Sequence, residues 1–199
     1  MYKPDFFEFL VKKCGIDPTL PVLVGFSAGP DSLYLLHRLK DLGFNLIAGH
    51  VDHSLRPASI AEAEHAAGIC LQWGIPFVST RVPVSDYARE NKLSVEEAAR
   101  EVRYRFLFAE AKKSGAQAVL VAHHADDQVE TVLMHFLRGS GTSGLAGMRL
   151  VLKPNPWSST IPLVRPLLRT WRREIVEYCQ HHELTPVLDE SNTDVAYFR

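Results

Sequence analysis

The stretch that most constrains the fold is residues 21–39. Val22-Leu-Val-Gly-Phe26 is an apolar run of strand length that breaks off into Ser27-Ala28-Gly29-Pro30-Asp31-Ser32. Leu33, Leu36 and Leu39 then recur at helical spacing. Strand, tight loop and helix in this order aim backbone N–H groups and the positive end of a helix dipole at whatever lies over the loop. Gly29 permits close approach or a positive φ, and Pro30 lacks a donor that a helix start leaves unpaired in any case. Ser27, Asp31 and Ser32 can cap the helix or hydrogen-bond phosphate, and Asp31 can hold a metal ion. A well-capped βα turn accounts for the same residues; a phosphate or pyrophosphate cradle is the preferred reading. It is not a Walker A loop, because no Gly-Lys-Ser/Thr follows.

The rest of the chain repeats the alternation. Residues 5–13 read as a short amphipathic helix, 44–50 and 75–82 as strands, and 58–73 as a helix stopped by Gly74. Ser94-Val-Glu-Glu97 is a capping box opening a helix from Val95 to about Lys113, closed by Gly115. Ala118–Ala122 is wholly apolar, as a central parallel strand should be. Such a chain predicts an α/β fold: a doubly wound, mostly parallel sheet with helices on both faces and ligand sites at the strands' carboxyl ends. The polar clusters 27–32, 50–56 and 123–127 all fall at such ends. The 199 residues suit one domain, with about 1–148 as core and 149–199 as a C-terminal extension.

Composition narrows the setting. A net charge of −1 argues against a wholly basic surface, so any nucleic-acid contact must use a local patch. Cys14, Cys70 and Cys179 are far apart and form no CxxC pair, which suggests reduced, buried thiols. With no secretory pattern and no apolar run of bilayer length, the expected setting is cytoplasmic, without membrane.

His123-His124-Ala-Asp126-Asp127 leads into a helix with an apolar stripe of Val129, Val132, Leu133, Phe136 and Leu137. His123, Asp127 and Glu130 are spaced i, i+4 and i+7, a helical face. Acidic residues at a helix start are favoured by the dipole alone, but two histidines and a glutamate exceed what capping requires. A nucleotide-bound Mg²⁺ needs one or two protein carboxylates, so Asp31 and Asp127 across neighbouring strand ends would suffice. His123 can orient a group or carry a proton, and one of Arg100, Arg103 or Arg105 can neutralise charge on a transferred phosphoryl group. Gly139–Gly147 holds a literal GxGxxG, but it follows a helix instead of a strand, so it reads as a lid, a substrate loop or a plain surface loop. Residues 149–163 look irregular. Arg165, Arg169, Arg172 and Arg173 cluster around Thr170, the expected cap of a helix 171–182, either as a solvated face or for RNA phosphates. The chain stops in a polar stretch, 189–199, that reads as cut.

Ser-x-Gly-x-Asp-Ser after a strand resembles the pyrophosphate loop of the N-type ATP pyrophosphatases, which usually carry Gly where this chain has Ala28. Together, residues 27–32, 50–57, 94–107, 122–148 and 189–199 resemble the bacterial tRNA(Ile)-lysidine synthetases, with 122–148 the most specific block. The resemblance implies an adenine nucleotide alpha hydrolase-like fold and a ligase. In that reaction ATP adenylates the carbonyl oxygen at C2 of the wobble cytidine of a tRNA(Ile) with a CAU anticodon. L-lysine then displaces AMP to give lysidine, with pyrophosphate as the other product. It further implies that Ser27, Ala28, Gly29, Pro30, Asp31 and Ser32 hold pyrophosphate, with Asp31 and Asp127 at Mg²⁺. His50, Asp52 and His53 would lie near the adenosine. His123, Asp127 and Glu130 would serve metal, lysine or activated base, Arg103 would neutralise charge, and Arg199 matches an arginine of the family's terminal block. Family members continue past that block into tRNA-selecting domains, so the expectation is a catalytic domain that modifies tRNA poorly by itself. Rival expectations are a tRNA thiolase of the same superfamily, which would want clustered cysteines, and a non-catalytic adenine-nucleotide module. The oligomeric state stays open, a homodimer included.

Overall fold

The computed structural model describes residues 6–56, 59–139, 141 and 144–187. In chain order the elements are α1 (Phe6–Lys12), β1 (Val22–Gly25), α2 (Pro30–Asp41), β2 (Leu46–Asp52), α3 (Ser59–Trp73), β3 (Phe77–Arg81) and α4 (Val84–Asn91). They continue with α5 (Val95–Ser114), β4 (Val119–Leu120), α6 (Ala125–Leu137), a 3-10 turn (Gly144–Ala146), β5 (Val151–Leu152), β6 (Leu163–Val164) and α7 (Arg172–His181). The strands form one sheet in the order β3-β2-β1-β4-β6-β5, parallel throughout except for the β5–β6 pair. The expected mostly parallel α/β sheet is therefore present.

The pleat of β1 shows why helices cover both faces. Val22 and Val24 point into a core shared with α1, α2, α3 and α7, whereas Leu23 points to the other side, against Tyr104, Leu107 and Phe108 of α5. Gly49 on β2 lets α5 come close: a Cβ there would sit 2.7 Å from Leu107 Cδ2. The Ser94–Glu97 capping box forms as read, with Glu97 N donating to Ser94 Oγ and Ser94 N to Glu97 Oε2.

Three features depart from expectation. Residues 149–163 are mostly irregular, as read, but also carry the short strand β5 and the first residue of β6; strands of two residues show no period to read. Helix α4 has no counterpart in the sequence reading, because eight residues rich in Ser, Asp, Arg, Glu and Asn resemble a loop. The apolar stripe of α6 is largely uncovered, with Phe136 66% and Leu137 81% exposed and only Ala125 buried on that helix. Periodicity reveals that a face is apolar, not what lies against it. Among the described residues, no helix is long and apolar enough to cross a membrane.

Candidate active site

Strand order decides where a site can form. β1 is flanked by β2 on one side and β4 on the other, all parallel, so the order in which strands are added reverses at β1–β4 and the connections after these two strands run to opposite sides. A crevice opens at their carboxyl ends, the usual ligand position in such sheets. It is a cavity of about 590 Å³, and both the 27–32 loop and Asp127 line it. The two clusters read from the sequence thus face one space.

The loop is built as an anion cradle. Helix α2 starts at Pro30 with Gly29 as its N-cap and no side chain capping it, so the first-turn N–H groups are available to a ligand. Ser32 is folded inward: its Oγ donates to Gly29 O (3.1 Å) and accepts from Ser27 N (3.2 Å), 3.2 Å from Ser27 Oγ. Ala28 has φ of +59° in the left-handed region, is wholly buried, and accepts Val187 N at 2.9 Å through its carbonyl. The segment reaching Val187 therefore closes over the loop and lines the cavity.

Asp31 faces several groups. Its Oδ2 accepts from Arg172 Nη1 at 3.0 Å, and its Oδ1 is buried without a hydrogen-bond partner, 3.6 Å from His124 Nε2. Burial holds the Asp31 carboxyl above the ordinary carboxylate range; Arg172 and His124 pull it down, and Asp127 pushes it up. His124 is the N-cap of α6: His124 N donates to Asp127 Oδ2 (2.8 Å) and Asp127 N to His124 Nδ1 (3.4 Å). This buried ring, not His123, joins Asp31 to Asp127.

His123 precedes the N-cap, so His123, Asp127 and Glu130 do not share a helical face, contrary to the i, i+4, i+7 reading. His123 and Asp127 line the cavity; Glu130 is exposed on α6 and outside the lining. His123 Nδ1 is buried without a partner, and burial, reinforced by Arg165, takes its pKa down to about 4. His53 behaves alike: burial first and Arg103 second bring it to about 4, with Arg103 Nη2 3.5 Å from His53 Nε2. Both rings are neutral at pH 7. His50 is buried, its Nδ1 2.9 Å from Phe26 O. Asp52 serves its own turn, with Oδ1 accepting Ser54 N (2.7 Å) and Oδ2 3.2 Å from Arg81 Nε. Arg103, His50, Asp52 and His53 line the cavity, whereas Ala28 and Pro30 do not. Arg199 and the 189–199 block lie outside the described residues.

Sequence reasoning missed the roles of Arg172 and His124. Arg172 stood in a run of arginines with nothing to single it out, and its partner Asp31 lies 141 positions away. Loop 139–147 is tied down at one end: Met148 N donates to Gln128 Oε1 (2.7 Å) and Gln128 Nε2 to Met148 O (3.2 Å). Helix α7 starts at Arg172 behind Trp171, one residue later than read, while Thr170 O accepts from Ala125 N.

The donor set fits a nucleotide-borne Mg²⁺. Asp31 keeps an unpartnered buried oxygen, Asp127 faces the same cavity, and hard oxygen donors of this number suit Mg²⁺ when phosphates complete the shell. Among the described residues, no three His, Cys, Asp or Glu side chains are arranged to hold a metal by themselves.

Residues 6–199 match the family model of the PP-loop domain. The chain is 41% identical over 177 residues to the tRNA(Ile)-lysidine synthase of Dehalococcoides mccartyi, covering 86% of this chain and 38% of that protein. It is 40% identical over 185 residues to that of Novosphingobium aromaticivorans, covering 92% and 55%. The chain thus spans well under two thirds of the curated relatives it matches. Among solved structures it is similar to the U34-tRNA thiolase NcsA of Methanococcus maripaludis (TM-score 0.73, 18% identity, 92% of this chain and 63% of that one). It is also similar to the NH3-dependent NAD synthetase of Campylobacter jejuni (TM-score 0.60, 15% identity, 90% and 71%). At these identities the two structures speak to fold alone.

Proposed function

The chain belongs to the PP-loop domain family, and from that premise we propose that it is the ATP-dependent catalytic domain of a tRNA(Ile)-lysidine synthase. It activates C2 of the wobble cytidine in a CAU anticodon with ATP and joins the ε-amine of L-lysine there, releasing pyrophosphate and AMP. The observation that carries this reading is the single cavity shared by the uncapped start of α2 and the carboxylates of Asp31 and Asp127. The relatives named tRNA(Ile)-lysidine synthase, at about 40% identity, favour it over other PP-loop chemistries.

The loop from Ser27 to Ser32 holds the pyrophosphate end of ATP by backbone N–H groups and dipole. Wall residues His50, Asp52 and His53 bound the space for the nucleoside. Asp31 and Asp127 would hold Mg²⁺, which supplies charge neutralisation on the phosphates. Arg103, also in the cavity lining, neutralises charge on the α-phosphate as the bond to pyrophosphate breaks. The lysine ammonium must lose a proton before it attacks, a task for a carboxylate such as Glu130, although that side chain is exposed and outside the cavity lining. His123 faces the cavity with its pKa held down to about 4, which suits a neutral ring that orients a substrate group better than a base. His124 positions both carboxylates. The thiolase alternative meets three separate, buried thiols, with Cys14 and Cys70 pushed up to about 12 and Cys179 to about 11 by burial, so none is a ready thiolate.

The test is AMP formation from ATP with lysine and the CAU-anticodon tRNA, each omitted in turn. AMP that depends on both supports the ligase, and ATP binding without turnover supports a nucleotide-binding module. Asp127→Asn keeps an acceptor for His124 N, so folding should persist while turnover falls about a hundredfold or more. Unchanged turnover removes Asp127 from the mechanism.

A further inference from the structure

The run of four arginines around Thr170 divides in the structure. Arg165 is 5% exposed, with Nη1 donating to Arg149 O, and Arg172 is engaged with Asp31. Arg169 and Arg173 are exposed, and neither forms an ion pair with a described residue. Between them stands Trp171, 45% exposed. An exposed indole on a mobile loop would mean little, but this backbone is held on both sides. Thr170 N donates to Leu167 O (2.8 Å), Thr170 O accepts Ala125 N (2.9 Å), Trp171 N donates to Glu174 Oε2 (2.8 Å) and Arg172 N to Asp126 Oδ2 (2.9 Å).

Trp171, Arg173 and Asp126 line a second, open cleft of about 400 Å³. Its lining is linked to that of the main cavity through the chain and a hydrogen bond. Asp126 is next to cavity-lining Asp127, and Arg172, between Trp171 and Arg173, reaches cavity-lining Asp31. An aromatic face, a carboxylate and unpaired guanidiniums are the three elements that bind an unpaired nucleotide: a ring to stack on, an acceptor for an exocyclic amino group and cations for phosphate. The carboxylate also disfavours a free polyphosphate in this cleft.

We propose that the cleft formed by Trp171, Arg173 and Asp126 receives the unpaired RNA nucleotide next to the one being modified. Its base stacks on the indole, its exocyclic amino group donates to Asp126, and its phosphates lie toward Arg169 and Arg173. This rests on the reading of the main cavity as a site for a tRNA anticodon nucleotide. In a CAU anticodon the neighbour of the wobble cytidine is adenine, whose N6 amino group meets the requirement.

The test is binding of a CAU anticodon stem-loop, intact or abasic at that adenine, to the wild-type chain, Trp171→Ala and Trp171→Phe. The wild type should bind the abasic loop about tenfold to a hundredfold more weakly, the range for one stacked base. Trp171→Ala should lose the same factor on the intact loop and nothing further on the abasic one, while Trp171→Phe stays within about threefold of wild type. ATP affinity, measured without RNA, should be unchanged in both variants and reports their fold. The proposal is overturned if the wild type does not bind the stem-loop or does not distinguish the abasic one. It is equally overturned if Trp171→Ala binds as tightly as wild type. Failure of the ligase reading looks different: stem-loop binding with its Trp171 dependence persists, but AMP formation ignores lysine.

Discussion

Ala28 allows a quantitative test of how the phosphate loop is built. With φ of +59° it holds a conformation that costs an L-residue about 1–2 kcal/mol. Replacement by Gly relieves that strain. Against it stand about 0.5–1 kcal/mol of extra chain entropy in the unfolded state and about 0.8 kcal/mol for one wholly buried methyl group. These terms nearly cancel, so Ala28→Gly should change stability by less than about 1 kcal/mol. Ala28→Val keeps the strain, adds β-branching at positive φ, and forces two carbons into a site with no free surface; about 3 kcal/mol or more should be lost. Urea unfolding followed by circular dichroism gives both values from midpoints at constant slope. Valine tolerated within 1 kcal/mol would refute the left-handed turn at residue 28. A Gly variant destabilised by 2 kcal/mol or more would mean that the methyl group, not the backbone, is what the loop needs.

Other expectations follow from the same geometry. His53 has a folded pKa of about 4 against about 6.5 unfolded, so between these values the unfolded chain binds the extra proton. Stability should therefore fall as pH drops from about 6.5 toward 4, by up to about 3 kcal/mol from this ring; a pH series of thermal melts should show a shallower decline for His53→Asn. Gly147 has φ of +65°, and a Cβ there would lie 2.5 Å from Gln128 Nε2. Gly147→Ala should break the paired Gln128–Met148 hydrogen bonds and raise amide exchange at Met148 about tenfold or more, and unchanged exchange would contradict that anchorage. Gly49→Ala should cost about 1–3 kcal/mol because the new carbon meets Leu107 in a closed core, measurable as a lower urea midpoint.

Much of this protein was legible along the chain because its causes are local. The apolar run ending at Gly25, the Pro30 start of α2 and the Ser94–Glu97 box each depend on neighbours within a few residues, and alternating strand and helix periods imply a parallel sheet. That strand order would bring the 27–32 loop and Asp127 to one crevice also follows from general topology, since sites gather where the strand order reverses. Tertiary structure alone decided the rest. It engaged Arg172 with Asp31, made His124 and not His123 the link between the two carboxylates, left Glu130 outside the cavity, exposed the stripe of α6, and set Trp171 beside a second cleft. Each of these depends on which surfaces meet across some 50 to 150 residues of chain. Side-chain type and spacing carry no record of that distance, because a charged or apolar group has the same local preferences whether its partner is protein, water or RNA.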